Sequence, residues 1–203
     1  MVINWYGEGC FKISSGGLTI LTDPFESSTG LTPPRFKADI ILKTLVPYPV
    51  PYNSDREETV TLEGPGEYEI KGIDIQGFQI EPNNKELKTA YLVKIEELSL
   101  GFLGHVSLML AAEILEALGG IDILFIPTNG VPYLEPESAA KLVKQLAPKL
   151  VVASFIKVPG LTRKANDAKD FLAELGLKTE PQEKLVIKKK ELPATTHAVV
   201  LTV

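Results

Sequence analysis

Ala38-Asp39-Ile40-Ile41-Leu42-Lys43-Thr44-Leu45-Val46-Pro47-Tyr48-Pro49-Val50 opens as a short apolar run and ends in a segment with prolines at alternate positions. The apolar run has the pattern of a buried strand. Proline fixes φ and removes a backbone donor, so Pro47 and Pro49 predict a stiffened loop after that strand. Upstream, Val2 to Tyr6, Cys10 to Ser14 and Leu18 to Thr22 are short runs of β-formers. Gly7, Gly9, Gly16 and Gly17 punctuate them. Asp23-Pro24-Phe25 ends the third run, and a proline-bearing loop follows through Pro33-Pro34.

Downstream, Glu67-Tyr68-Glu69-Ile70 and Ile73-Asp74-Ile75-Gln76 flank a Lys71-Gly72 turn and alternate as a hairpin does. Thr89 to Ile95 and Leu98 to Leu103 form a second pair around Glu96-Glu97. The second half changes character. Leu108 to Leu118, Glu135 to Leu146 and Asn166 to Leu175 read as helices, with Pro136 at a first helical position and Asn166 as a candidate N-cap. Asp122 to Pro127, Leu150 to Ala153, Leu185 to Lys189 and Ala198 to Val203 read as strands, with Lys188-Lys189-Lys190 as a solvated edge. Strands first, then alternating strands and helices, predict an α/β (α+β) protein with sheets packed under helices, in one domain over 1–203.

Composition narrows the function. The 203 residues are 44% hydrophobic and 23% charged, with net charge −5. An acidic balance with interspersed charge argues against a nucleic-acid partner, which would need a basic surface. A lone cysteine, Cys10, excludes an intrachain disulfide and suits a reducing, cytoplasmic setting. No basic, then apolar, leader is visible at the N-terminus, and no apolar run reaches the ~20 residues of a membrane span.

Six segments in register resemble the metallo-β-lactamase superfamily, and within it the short "Zn-dependent hydrolase" type related to the L-ascorbate-6-phosphate lactonases. They are Ile3-Asn4-Trp5-Tyr6-Gly7 with Cys10 to Ile13, Leu21 to Phe25, Pro33 to Asp39, Gly64 to Glu69, Ile121 to Pro127, and Ser138-Ala139-Ala140 running to Val152. The resemblance implies an αββα four-layer sandwich of two mixed sheets, with a metal site at one edge. It also implies hydrolysis by a water that two zinc or manganese ions activate.

The positions onto which the family's ligands fall hold other residues. The loop histidines fall on Leu45, Pro47 and Val50, and the loop aspartate on Pro49. The late histidine falls on Phe155, an early one on Glu8, another on Phe102, and the bridging aspartate on His105. A mid-chain histidine falls near Glu81-Pro82. Leucine, proline, valine and phenylalanine side chains offer no lone pair to such metals. The expectation is therefore a protein without a metal cofactor that acts by binding, as a homo-oligomer or on a protein partner. The competing expectation is a hydrolase of an ester, lactone or phosphodiester with a reduced mononuclear site.

The second expectation rests on His105, one of two histidines in the chain, with Glu8 and Asp23 as carboxylate neighbours. The plainer reading of His105 is a partly buried imidazole hydrogen-bonded to one of those carboxylates. Asp23 before Pro24 reads as a turn cap, Cys10 as a buried inert thiol, Asp122 as a structural group at a strand edge, and Gly64-Pro65-Gly66-Glu67 as a tight turn. Tyr48, Tyr52 and Tyr133 read as rim residues near the cleft. Whether the space between Glu8, Asp23, Leu45, Val50, His105 and Phe155 is an open cavity or an apolar plug decides where a ligand could go.

Overall fold

The computed structural model describes residues 1–50, 58–83 and 85–203. The chain begins with β1 (Val2–Trp5), β2 (Phe11–Ser15), β3 (Leu18–Thr22), β4 (Ile40–Leu42), β5 (Leu45–Pro47) and β6 (Val60–Leu62). It continues through β7 (Gly66–Ile70), β8 (Ile73–Ile80), β9 (Glu86–Ile95) and β10 (Leu98–Phe102). The second half alternates: α1 (Ala112–Ala117), β11 (Ile123–Pro127), α2 (Pro136–Leu146), β12 (Leu150–Ser154) and α3 (Lys169–Leu175). The last strands are β13 (Lys184–Val186) and β14 (His197–Val199).

Two mixed sheets result. One has the order β13-β1-β2-β3-β4-β6 and the other β14-β12-β11-β10-β9-β8-β7, with β5 paired to β9. The periodicities explain the layers. In β2 the pattern Phe11, Ile13, Ser15 points inward and Lys12, Ser14 outward, as a sheet with one core face requires. Every residue of β11 and β12 is buried, which is why those strands are continuous apolar runs: they are central parallel strands covered on both faces.

The main apolar core fills the space between the sheets, from Ile3, Trp5 and Phe11 on one side to Tyr91, Leu100 and Phe125 on the other. Phe102 stacks on Phe125 with centroids 4.5 Å apart and planes at 11°. Helix α2 lies on β11, burying Ala139, Ala140, Leu142, Val143 and Leu146 along one stripe, and α3 packs on α2. On the outer face of the six-stranded sheet, Cys10, Leu21 and Ala38 are sealed by Tyr6, Phe25, Phe36 and Ile41, so the long proline loop between β3 and β4 contributes to the cover.

Several local expectations change. The helix predicted over 108–118 is shorter, and Ser107 and Leu108 instead donate their amides to Glu81. Helix α3 begins after Ala168 rather than at Asn166, because Asp167 takes the Lys169 amide while the Asn166 amide goes to Asn129. The Lys188–Lys190 run, rather than being a bare strand edge, leads into a 3-10 turn over Lys189–Glu191. Lys189 leaves it to pair with Asp122 at 2.8 Å, which together with the Ser99 amide explains that buried carboxylate. The predicted loop after β4 is partly strand, since Leu45–Pro47 pairs with Glu86–Lys88.

Candidate functional site

Parallel strands place the site. β3 and β4 run parallel in one sheet, and β10, β11 and β12 in the other. The segments leaving their C-terminal ends carry Asp23, Lys43-Thr44, His105 and Phe155, at the end of an α/β sheet where ligand sites collect. A cleft of about 390 Å³ opens between them. It is lined by Glu8, Asp23, Phe25, Leu45, His105, Tyr133, Phe155, Leu161 and Arg163 among others.

Close backbone approach builds the floor. A Cβ on Gly9 would lie 2.8 Å from the Phe155 ring and 2.9 Å from Asp23 Oδ2. A Cβ on Gly104 would lie 1.9 Å from Thr44 Oγ1, and Gly104 has φ 42°. Glycine at these two positions is what lets the histidine loop and the Glu8 loop reach the same place.

One end of the cleft is a chain of hydrogen bonds. Asp23 Oδ1 accepts the Thr44 amide at 2.7 Å and Oδ2 accepts the Thr44 hydroxyl at 2.6 Å. Thr44 Oγ1 is 2.7 Å from His105 Nδ1, which itself lies 3.8 Å from Asp23 Oδ2. Burial pushes the Asp23 carboxyl up from its ordinary value, while His105 and the two Thr44 bonds pull it back down. The other end is an ion pair. Arg163 Nε sits 2.9 and 3.0 Å from the two Glu8 oxygens, and Nη2 2.9 Å from Oε2. Nη2 also donates to the Phe155 carbonyl at 2.5 Å.

Between them stands an aromatic wall. Tyr133 and Phe155 pack at 4.3 Å, His105 meets Phe155 edge-on at 4.9 Å, and the Arg163 guanidinium lies 5.3 Å from the Tyr133 centroid. Burial pushes the Tyr133 phenol up to about 12, partly offset by Arg163, so it stays protonated at neutral pH.

Residues 2–154 match the family described as Beta-lactamase superfamily domain. The chain belongs to that family. The fold agrees: a candidate Zn-dependent hydrolase of the metallo-β-lactamase superfamily from Thermotoga maritima superposes with a TM-score of 0.80 at 23% identity, over 99% of this chain and 98% of that one. The metallo-β-lactamase fold protein YhfI from Bacillus subtilis gives 0.61 at 8% identity, covering 99% and 96%. Igni18, a metallo hydrolase from Ignicoccus hospitalis, gives 0.57 at 14%, covering 86% and 90%. At these identities the likeness is one of fold. Among curated proteins, none matches this chain.

The family's metal does not fit the side chains described. Both Asp23 oxygens are bonded to Thr44, both Glu8 oxygens to Arg163, and one imidazole remains. Among the described residues, no three His, Cys, Asp or Glu side chains are grouped so as to hold a metal ion. Glu8, Asp23 and His105 therefore border one cleft without forming the facial trio that a mononuclear site needs.

The remaining sequence expectations sort by position. Leu45 and Phe155 line the cleft. Pro47 and Pro49 are exposed and Val50 half-buried, and none of the three lines it, because β5 leads that segment away along β9. Phe102 is in the core and borders only a small void beneath Asp23 and Thr44. Tyr133 lines the cleft, Tyr48 is exposed outside it, and Tyr52 lies outside the described residues. Asp23 ties β3 to the segment after β4 instead of capping its own turn, and His105 reaches a carboxylate through Thr44 instead of directly. Cys10 is buried, and burial, with Asp23 second, pushes its thiol up, as expected of an inert group. Glu81 is not in the cleft; it anchors Ser107 and Leu108 below the histidine loop.

Sequence reasoning missed Thr44 and Arg163. Arg163, one of three arginines, was detectable as a cation awaiting a carboxylate, though nothing local names Glu8. Thr44 carries no signal beyond standing between two β-forming stretches.

Proposed function

We propose that this chain works without a metal and binds a small organic molecule in the cleft between Asp23 and Arg163. The observation that carries this reading is that both carboxylates bordering the cleft spend all four oxygens on protein donors. These bonds hold each carboxylate toward its own donor, and turning both toward one ion would loosen them, at about 1–3 kcal/mol for each donor left unpaired. The positions Leu45, Pro47, Pro49, Val50, Phe102 and Phe155 are read as vestiges of the family's ligand set. Kinship with the L-ascorbate-6-phosphate lactonases belongs to the same proposal, supported by the six segments in register, as do a cytoplasmic setting and a homo-oligomer or protein partner. No helix among the described residues is long and apolar enough to cross a membrane.

Elemental analysis of protein purified from zinc-supplemented cells tests the reading. The expected result is transition metal far below one ion per chain. A mononuclear hydrolase remains the second reading, favoured by the 3.8 Å approach of His105 Nδ1 to Asp23 Oδ2 and by the metal-dependent relatives of the fold. One stoichiometric metal that disappears in His105→Ala would select it.

A further inference from the structure

With Asp23 as a carboxylate, the hydrogen bonds at its end of the cleft allow one arrangement of protons. Thr44 has a single hydroxyl hydrogen, and with Asp23 ionised it is directed to Asp23 Oδ2 at 2.6 Å. The same Thr44 oxygen can only accept from His105 Nδ1, 2.7 Å away. In that arrangement the neutral imidazole carries its hydrogen on Nδ1 and its lone pair on Nε2. No described residue hydrogen-bonds Nε2, and His105 lines the cleft with its side chain 21% exposed.

The charged groups and the two threonine hydroxyls that line the cleft are paired, while the Tyr133 phenol stays protonated. The hydroxyls of Thr29 and Thr162 donate to main-chain carbonyls. Lys43 pairs with Glu63 at 2.6 Å, and Glu8 with Arg163. Cys10 is packed on the outer face of the six-stranded sheet. Among the described residues, what remains as a base is the His105 imidazole, partly exposed in a cleft walled by Phe25, Tyr133, Phe155 and Leu161, which suits a neutral aromatic molecule.

We propose that His105 is a metal-free general base that activates water against a small neutral aryl ester, with Thr44 and Asp23 as positioning residues. The inference rests on the metal-free reading above. Nε2 takes a proton from water as the water oxygen bonds to the ester carbonyl carbon. The tetrahedral adduct then breaks its bond to the aryl oxygen, which takes the proton back from the imidazolium. One ester and one water become one acid and one phenol, and His105 returns to its starting form. Throughout, Nδ1–H stays on Thr44, and the Asp23 carboxylate faces the transient positive charge, the role an orienting carboxylate plays for a catalytic histidine.

The test is hydrolysis of para-nitrophenyl acetate by protein dialysed against a chelator, with metal content measured on the same sample. The chain supplies its own control, because its second histidine, His197, is exposed on β14 away from the cleft. Metal-free wild type is expected to exceed buffer. His105→Ala, and His105→Gln should the alanine variant fold poorly, lose about 10²-fold or more of that rate. His197→Ala leaves it unchanged. Thr44→Val lowers kcat about tenfold or more while Thr44→Ser restores it, a rescue that a general loss of packing would not give. Metal-free protein no faster than buffer, a His105 variant at full rate, loss of activity in His197→Ala, or Thr44→Ser as poor as Thr44→Val would each overturn the inference and leave the metal-free reading standing. Activity that vanishes on dialysis and returns with one equivalent of zinc would overturn both.

Discussion

The two ends of the cleft hold the same kinds of groups and arrange them to opposite effect. At one end Glu8 meets Arg163 through both oxygens, and the guanidinium also donates to the Phe155 and Lys164 carbonyls. That end is closed: each charge is neutralised in place and the pair fastens Phe155. At the other end Asp23 meets Thr44, Thr44 meets His105, and the chain stops with one ring nitrogen unbonded among the described residues. The first arrangement is a structural clamp and the second a presented acceptor. A carboxylate beside a cleft is therefore no guide to chemistry until its partners are counted.

Substitutions can break this contrast, the largest effect coming from the open end. Gly104→Ala forces a Cβ against the Thr44 side chain at a left-handed backbone position, so the loop carrying His105 must shift. Overpacking and backbone strain together predict a loss of about 3–4 kcal/mol in denaturant unfolding. Arg163→Ala opens the closed end. With the Glu8 side chain 12% exposed, the orphaned carboxylate is partly solvated, so the expected cost is about 2–3 kcal/mol, below that of a fully buried pair. Arg163→Lys recovers only part of it, since an ammonium cannot engage both oxygens in one plane.

Thr44→Val removes a hydroxyl from between two groups that need it, and the unfolding experiment should register about 1–2 kcal/mol. The smallest effect concerns the support beneath His105. Burial pushes the Glu81 carboxyl up, but Lys88, Ser107 and Leu108 outweigh it and hold the group below its ordinary value. A depressed carboxyl contributes stability that is fully present above the unfolded value of about 4.3 and is lost as pH falls through the folded one. Glu81→Gln should therefore flatten the acid limb of a stability–pH curve and lower stability at neutral pH by about 1 kcal/mol.

The fold was legible in the sequence because its signals are local. Gly7 and Gly9 bracket a turn, Phe11-Lys12-Ile13 alternates, and the short apolar run Ile123–Ile126, closed by Pro127, has the pattern of a strand covered on both sides. Glu8, Asp23, His105, Leu45 and Phe155 were legible as neighbours through the register of the family segments. What the sequence hid was the pairing. Glu8 and Arg163 stand 155 residues apart, and only the closed tertiary structure brings them together. Thr44 was hidden for another reason: threonine is common in and beside strands, and only the placement of Asp23 and His105 on either side makes its hydroxyl matter. The segment from Pro47 to Val50 misled because a register match does not determine direction, and pairing of Leu45–Pro47 with β9 carries these residues off the cleft.

At the centre stands the proposal that His105 faces the cleft with Nδ1–H bonded to Thr44 and Nε2 as a base, not as a metal ligand. Long-range ¹H–¹⁵N correlation on the two histidines, recorded before and after one equivalent of zinc, reads this directly. The account predicts that His105 shows the Nδ1–H tautomer and keeps it, with its nitrogen shifts unchanged by the metal. An Nε2–H tautomer, or a zinc-induced shift at a His105 nitrogen that saturates at one equivalent, would contradict it.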